Sequence, residues 1–112
     1  MEKNLILVIN PGSTSTKVAL FKDKEMLSTT SIQHDSKELI KYNKIIDQLD
    51  YRMSMLNDAI ESYGLNLSSL RAVVGRGGML KSIQSGTYLI NDRVIEDLLE
   101  AKRGEHASNL GA

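Results

Sequence analysis

Three short blocks of the chain hold residue types whose spacing could do chemistry. In the first, Asn10-Pro11-Gly12-Ser13-Thr14-Ser15-Thr16-Lys17, a run of hydroxyls closes on a cation. Pro11 presets one backbone dihedral and Gly12 tolerates positive φ, so successive N–H groups can face a common anion. Ser13, Thr14 and Ser15 add donors, and Lys17 adds a full charge. These are the parts of a phosphate-holding turn, and equally those of an ordinary hairpin turn with polar tips.

The second block is Gly75-Arg76-Gly77-Gly78. An arginine between glycines can bring its planar fork to a carboxylate or phosphate while the bare backbone lets the ligand approach. The plainer reading is an exposed loop arginine whose glycines serve the turn. The third block, Gly104-Glu105-His106-Ala107-Ser108-Asn109, groups an acid, an imidazole and an amide. It could do acid–base or hydrogen-bonding work, or simply start a helix with polar residues at its exposed end. Asn10 is neutral where a two-metal nuclease needs a carboxylate, which weighs against nuclease chemistry.

Composition narrows the choices. The 112 residues contain 14 Lys plus Arg and 14 Asp plus Glu, so no net field gathers nucleic acid or an anionic membrane. Any anion must be bound by a local site. With no cysteine there is no disulfide, zinc-thiolate centre or thiol nucleophile. The two histidines, His34 and His106, are far apart in sequence, and His34 has no neighbour that suggests a role. The apolar run Leu5 to Ile9 is shorter than the ~7 residues of a secretory core or the ~20 of a spanning helix. A cytoplasmic protein without a membrane segment is therefore expected, and the sequon at Asn66 is a chance match.

The elements that must position these blocks follow from periodicity. Leu5 to Ile9 is continuously apolar and β-branched, as in a strand covered on both faces in the middle of a sheet. Lys17 to Phe21 reads as a second strand joined to it as an antiparallel hairpin, and Glu25 to Gln33 as a third, more exposed strand. From residue 36 the period changes. Leu39, Tyr42, Ile46, Leu49, Met53, Leu56, Ile60 and Tyr63 form one apolar stripe, which predicts a single long helix, open to a kink or split, over residues 36–63. Asp35 and Glu38 give it a capping-box start, and Gly64 a left-handed end. Leu70 to Gly75 reads as a fourth strand and Thr87 to Ile90 as a short fifth. Asn91 or Asp92 then caps a helix carrying Val94, Ile95, Leu98 and Leu99. The order β-β-β-α-β predicts a single α/β domain over residues 1–112 with a mixed sheet of the ribonuclease H type. Because Ala107, Leu110 and Ala112 are followed by no stop signal, truncation at the C-terminal end is expected.

Taken together, the blocks Val8 to Lys17, Val73 to Leu80 and Arg103 to Ala112 resemble three ordered segments of the butyrate kinases. These belong to the acetate kinase family, within the superfamily that also holds sugar kinases, heat-shock-70 proteins and actin. The resemblance covers the whole chain but about the first third of a family member. Ser82 and Gln84 stand where relatives more often carry proline, a departure that bears on loop stiffness. What the resemblance implies is the N-terminal part of an actin-like ATPase fold, in a homo-oligomeric enzyme.

The implied reaction is reversible transfer of phosphoryl from ATP to butanoate, with Mg²⁺, giving butanoyl phosphate and ADP. A carboxylate is already ionised at neutral pH, so no general base is needed. By the same resemblance Asn10 would orient Mg²⁺ or its water, and Gly12, Ser13, Ser15 and Lys17 would line the phosphate path. Arg76 would hold the substrate carboxylate, and Asn109 would lie near the substrate. Other short or branched acids such as acetate, propionate or isobutyrate are alternative substrates. A non-catalytic nucleotide-binding protein of the actin or heat-shock-70 type is the alternative of another class. The segment by itself is expected to be inactive.

Overall fold

Alternation along the first hairpin sets the architecture. In a strand, successive side chains point to opposite faces; Leu5 and Leu7 of β1 (Leu5–Pro11) are buried, whereas Ile6 and Val8, which alternate with them, are half-exposed. In β2 (Ser15–Lys22) the buried set is Thr16, Val18 and Leu20. The structure, a computed structural model, describes residues 4–78, 84, 86–101 and 104–112. The first strand lies inside the sheet, and its cover is uneven: Leu5 and Leu7 are buried on one face, while Ile6 and Val8 on the other are only partly so.

β1 and β2 pair antiparallel, with Asn10 opposite Lys17 and Leu7 opposite Leu20. The next turn uses Asp23 at φ 54°, a left-handed geometry that aspartate tolerates better than most residues. Asp23 N–H donates to the Asn4 carbonyl (2.9 Å), and Asn4 Nδ2 donates to the Asp23 carboxylate (2.8 Å). β3 (Glu25–Gln33) follows antiparallel to β2, and its partly buried residues alternate with exposed ones. β4 (Leu70–Gly75) returns parallel to β1, so the mixed four-stranded sheet runs β3-β2-β1-β4.

The connection to β4 is not the single helix that the periodicity predicts. It consists of α1 (Ser36–Leu39), a 3-10 turn (Ile45–Gln48) and α2 (Leu49–Ser62). Asp35 caps α1 through Lys37 N–H (2.9 Å), but Glu38 does not complete a capping box. It accepts instead from Lys41 Nζ and Tyr42 Oη, both at 3.0 Å. Lys44 is extended (φ −124°, ψ 154°). Its N–H donates to the Asp47 carboxylate, and Ile45 N–H donates to Glu105 Oε1 (2.9 Å). Side chains that accept from backbone N–H groups compete with helix bonds, and here one acceptor comes from far along the chain.

The apolar stripe also sits at another phase. Gln48, Arg52, Leu56 and Ile60 are the buried row of this segment, whereas Leu49 and Met53 are 36% and 42% exposed. Leu56 and Ile60 pack on Leu7 and Val18, which are each 1% exposed, and Ile9, Ile32, Tyr63, Leu65 and Leu70 surround them. Gly64, just past the C-cap Tyr63 of this helix, has a φ of 65°, the left-handed value expected there.

Thr87 to Ile90 forms no strand; among the described residues it has no ladder partner, and Leu89 is 94% exposed. Asn91 Oδ1 accepts from Val94 N–H (2.9 Å) and caps α3 (Asp92–Glu100), which buries Leu98. A closing 3-10 turn spans Ala107–Gly111. Ser82, Met79, Leu80 and Arg103 lie outside the described residues. Among the described residues no helix is long and apolar enough to cross a membrane.

Candidate functional site

The two pairings made by β1 bring the first two sequence blocks to one end of the sheet, and the 107–111 turn of the third packs against Gly75 and Gly77 there. Asn10 is the last but one residue of β1, with Lys17 opposite it on β2. On the other side, β4 ends at Gly75 opposite Ile9, and Arg76 N–H donates to the Ile9 carbonyl (2.9 Å), so Arg76 stands level with Asn10. A cation, an amide and a second cation thus line up across three neighbouring strands. Lys17 and Arg76 are both exposed, and no described residue pairs with either side chain.

The turn between β1 and β2 is pinned from beneath. Gly12 N–H donates to the Ser15 carbonyl (2.7 Å), and His34 N–H donates to that of Thr14 (2.9 Å). Arg52 of α2 donates Nη1 to the Ser15 carbonyl (3.2 Å) and to Thr16 Oγ1 (3.3 Å), and Nη2 to the Ser13 carbonyl (3.2 Å). Its Nε donates to Gln48 Oε1 (3.0 Å). The carbonyls of Ser13, Thr14 and Ser15 therefore all face the protein. Ser13 and Thr14 themselves are exposed, and their N–H groups donate to no described residue.

Arg52 is only 4% exposed. Burial pushes its guanidinium below its ordinary value, yet an arginine keeps its charge in a protein interior. Its acceptors among the described residues are all neutral, and no described carboxylate makes an ion pair with it. Beside it, His34 is 6% exposed and its Nε2 lies 2.8 Å from Thr16 Oγ1. Burial first, and the Arg52 charge second, hold the His34 pKa below its ordinary value.

The glycines of the second block serve close packing. At Gly77 (φ 90°) a Cβ would lie 2.7 Å from Ser108 Cβ, and at Gly78 (φ 116°) 3.3 Å from Leu98 Cδ2. A Cβ at Gly75 would run into the Gly111 carbonyl. Only a bare backbone lets the 107–111 turn lie against this loop.

Within the third block the polar groups hold local structure. His106 Nδ1 accepts from Ser108 N–H (3.0 Å) and caps the 3-10 turn. Glu105 accepts from Ile45, and Asn109 Nδ2 donates to the Gly104 carbonyl (3.1 Å). The helix-start reading fits His106. Asn109 is half-buried beside Ser108, which touches Gly77.

A phosphate group suits this end of the sheet: outward amides, hydroxyls and an unpaired lysine are what a phosphoanion requires. A metal held by the protein alone does not suit it, because no cluster of three or more His, Cys, Asp or Glu occurs among the described residues. Asn10 offers one amide, enough to orient a hydrated Mg²⁺ carried by a nucleotide's phosphates.

Sequence reasoning missed Arg52, Gln48 and His34. The signal for the first two was their four-residue spacing with Leu56 and Ile60, which puts them on the buried row. No protein-family model matches the sequence.

Proposed function

We propose that this chain supplies the phosphate and acyl-acceptor side of the cleft of a short-chain carboxylate kinase, with butanoate as the acceptor. The observation that carries the reading is the row Lys17, Asn10, Arg76 across β2, β1 and β4. Neighbouring strands lie ~4.8 Å apart, so the row is about 10 Å long, enough for a carboxylate beside a phosphoryl group. Two mutually repelling anions need such a row of fixed donors, because positioning and charge stabilisation make up most of phosphoryl-transfer catalysis.

In this reading Arg76 grips the carboxylate of the acid. Gly12, Ser13, Ser15 and Lys17 line the path of the transferring group, and Asn10 orients Mg²⁺ or its water. ATP and Mg²⁺ supply the phosphoryl group and neutralise its charge. A carboxylate oxygen forms a bond to the γ-phosphorus while the bond from that phosphorus to the bridging oxygen of ADP breaks. Asn109 belongs to the acyl side, next to the Gly77–Gly78 turn. The sheet order β3-β2-β1-β4, with helices crossing from β3 to a parallel β4, supports a ribonuclease H-like domain of an actin-like ATPase.

The test is an acyl-hydroxamate assay on full-length protein containing residues 1–112, with MgATP and acids from acetate to isobutyrate and butanoate. Acyl phosphate from butanoate is expected. No product from any short-chain acid would sink the reading, and nucleotide binding indifferent to carboxylates would favour a non-catalytic actin-like protein. One methylene in an apolar pocket is worth only ~1–3 kcal/mol, so substrate choice must be read from a series of acids.

A further inference from the structure

Among the described residues the Arg52 guanidinium stands apart. It is a buried cation with neutral partners, and it lies directly behind a turn whose Ser13, Thr14 and Ser15 carbonyls are all engaged on the protein side. An unpaired buried charge costs several kcal/mol unless something offsets it. Three hydrogen bonds to the Ser13 and Ser15 carbonyls and the Thr16 hydroxyl offset part of that cost. None of them neutralises the charge.

We infer that Arg52 is the positioning residue of the Asn10–Lys17 turn, and that the missing counter-charge is a phosphoanion seated on the turn's outer face. Two effects act together. First, by bonding both the Ser13 and Ser15 carbonyls, the guanidinium holds these peptide oxygens inward. Peptide planes held so present their other edge to the outside: the Thr14 N–H opposite the Ser13 carbonyl, and the Ser15 N–H opposite the Thr14 carbonyl that His34 N–H holds, as an anion-binding nest requires. Second, its charge raises the potential at that surface, and a low-dielectric setting screens this less than water would.

Gln48 completes the device. Its Oε1 accepts from Arg52 Nε at 3.0 Å, which fixes the plane of the fork on the same buried row of the α2 segment. A lysine could carry the charge. It could not bridge two carbonyls in one plane.

This inference rests on the turn being a phosphate site, and the experiment separates the two ideas. The ¹⁵N-labelled chain is titrated with pyrophosphate, and the amides of Gly12, Ser13, Thr14 and Ser15 are followed by NMR. Saturable shifts in the wild type, at least tenfold weaker binding in Arg52→Met, and an intermediate value in Arg52→Lys are expected. Gln48→Leu should weaken binding severalfold while leaving charge in place.

If the wild type binds and Arg52→Met binds equally well while folded, the inference fails and the phosphate site stands. If the wild type shows no saturable shift at the turn, both fail. Where Arg52→Met does not fold, Arg52→Lys decides: a folded Arg52→Lys chain that binds pyrophosphate as tightly as wild type overturns the role.

Discussion

Thr16 Oγ1 lies 2.8 Å from His34 Nε2, and this contact joins the end of β3 to the turn that precedes β2's core residues. The same hydroxyl accepts from Arg52 Nη1 and has one proton and a second lone pair left for the imidazole. Which of Thr16 Oγ1 and His34 Nε2 donates depends on the imidazole tautomer, and the other ring nitrogen is Nδ1. That Nδ1 is buried without a hydrogen-bond partner. A protonated ring would add a second buried cation beside Arg52, and the edge of the Tyr51 ring, 5.3 Å away between centroids, cannot neutralise it.

Stability should therefore depend on pH through His34. Its folded pKa lies below the ordinary 6.5, so between those two values the unfolded chain binds more protons than the folded one. Stability is fully present above pH 6.5 and is lost as pH falls through the folded pKa. Urea midpoints measured from pH 5 to 8 should drop on the acid side. His34→Gln, which cannot titrate, should flatten that drop, and an unchanged slope in this variant would remove His34 as its source.

The phase of α2 makes a second prediction. Leu56→Ala empties space against Leu7 and Val18 and should cost ~2–5 kcal/mol. Met53→Ala, one turn away on the 42% exposed side, should change stability by about 0.5 kcal/mol or less. Equal losses in chemical denaturation would contradict the buried row at Gln48, Arg52, Leu56 and Ile60.

That row also shows where sequence stops being legible. β1 to β4 are readable because each is a β-branched or alternating run between turn residues, and their ends differ from expectation by only two residues. The helical region is less readable. Counting only apolar residues draws the stripe through Leu49 and Met53, because a buried arginine scores as surface. The break at Lys44 depends partly on Glu105, sixty residues away, which no local period encodes. Thr87 to Ile90 has strand-forming residues, but a strand also needs a neighbour, and pairing is not a local property. In the site, the turn and Arg76 stand out by type and spacing, whereas their support from Arg52 exists only once α2 has docked.

The glycine loop offers a third prediction, with an internal control. Gly64 and Gly77 both have positive φ, at 65° and 90°, but nothing lies within 4 Å of a Cβ at Gly64. Gly64→Ala should therefore show only the backbone cost, about 1 kcal/mol. Gly77→Ala adds a clash with Ser108 Cβ at 2.7 Å and should cost more, ~2–3 kcal/mol. Ser108→Gly in the same chain should restore part of the difference, which thermal melts of the three variants beside wild type would show. No restoration would mean that the 107–111 turn does not rest on Gly77.

Arg76 separates function from fold most cleanly. Its side chain is exposed and has no described partner, so Arg76→Ala should leave stability within about 0.5 kcal/mol of wild type. If it grips the acid's carboxylate, the lost charge-assisted hydrogen bonds are worth ~1.5–3 kcal/mol, roughly a ten- to hundredfold fall in kcat/KM for the acid. Arg76→Lys should recover only part of the rate, because an ammonium supplies charge without the two-pronged geometry. KM for MgATP should move little, since the proposed reading puts the nucleotide's phosphates on the Lys17 side of Asn10. A variant that folds, keeps its rate and keeps its KM for the acid would take Arg76 out of the site and leave Lys17 and the turn as the whole of the anion-binding surface.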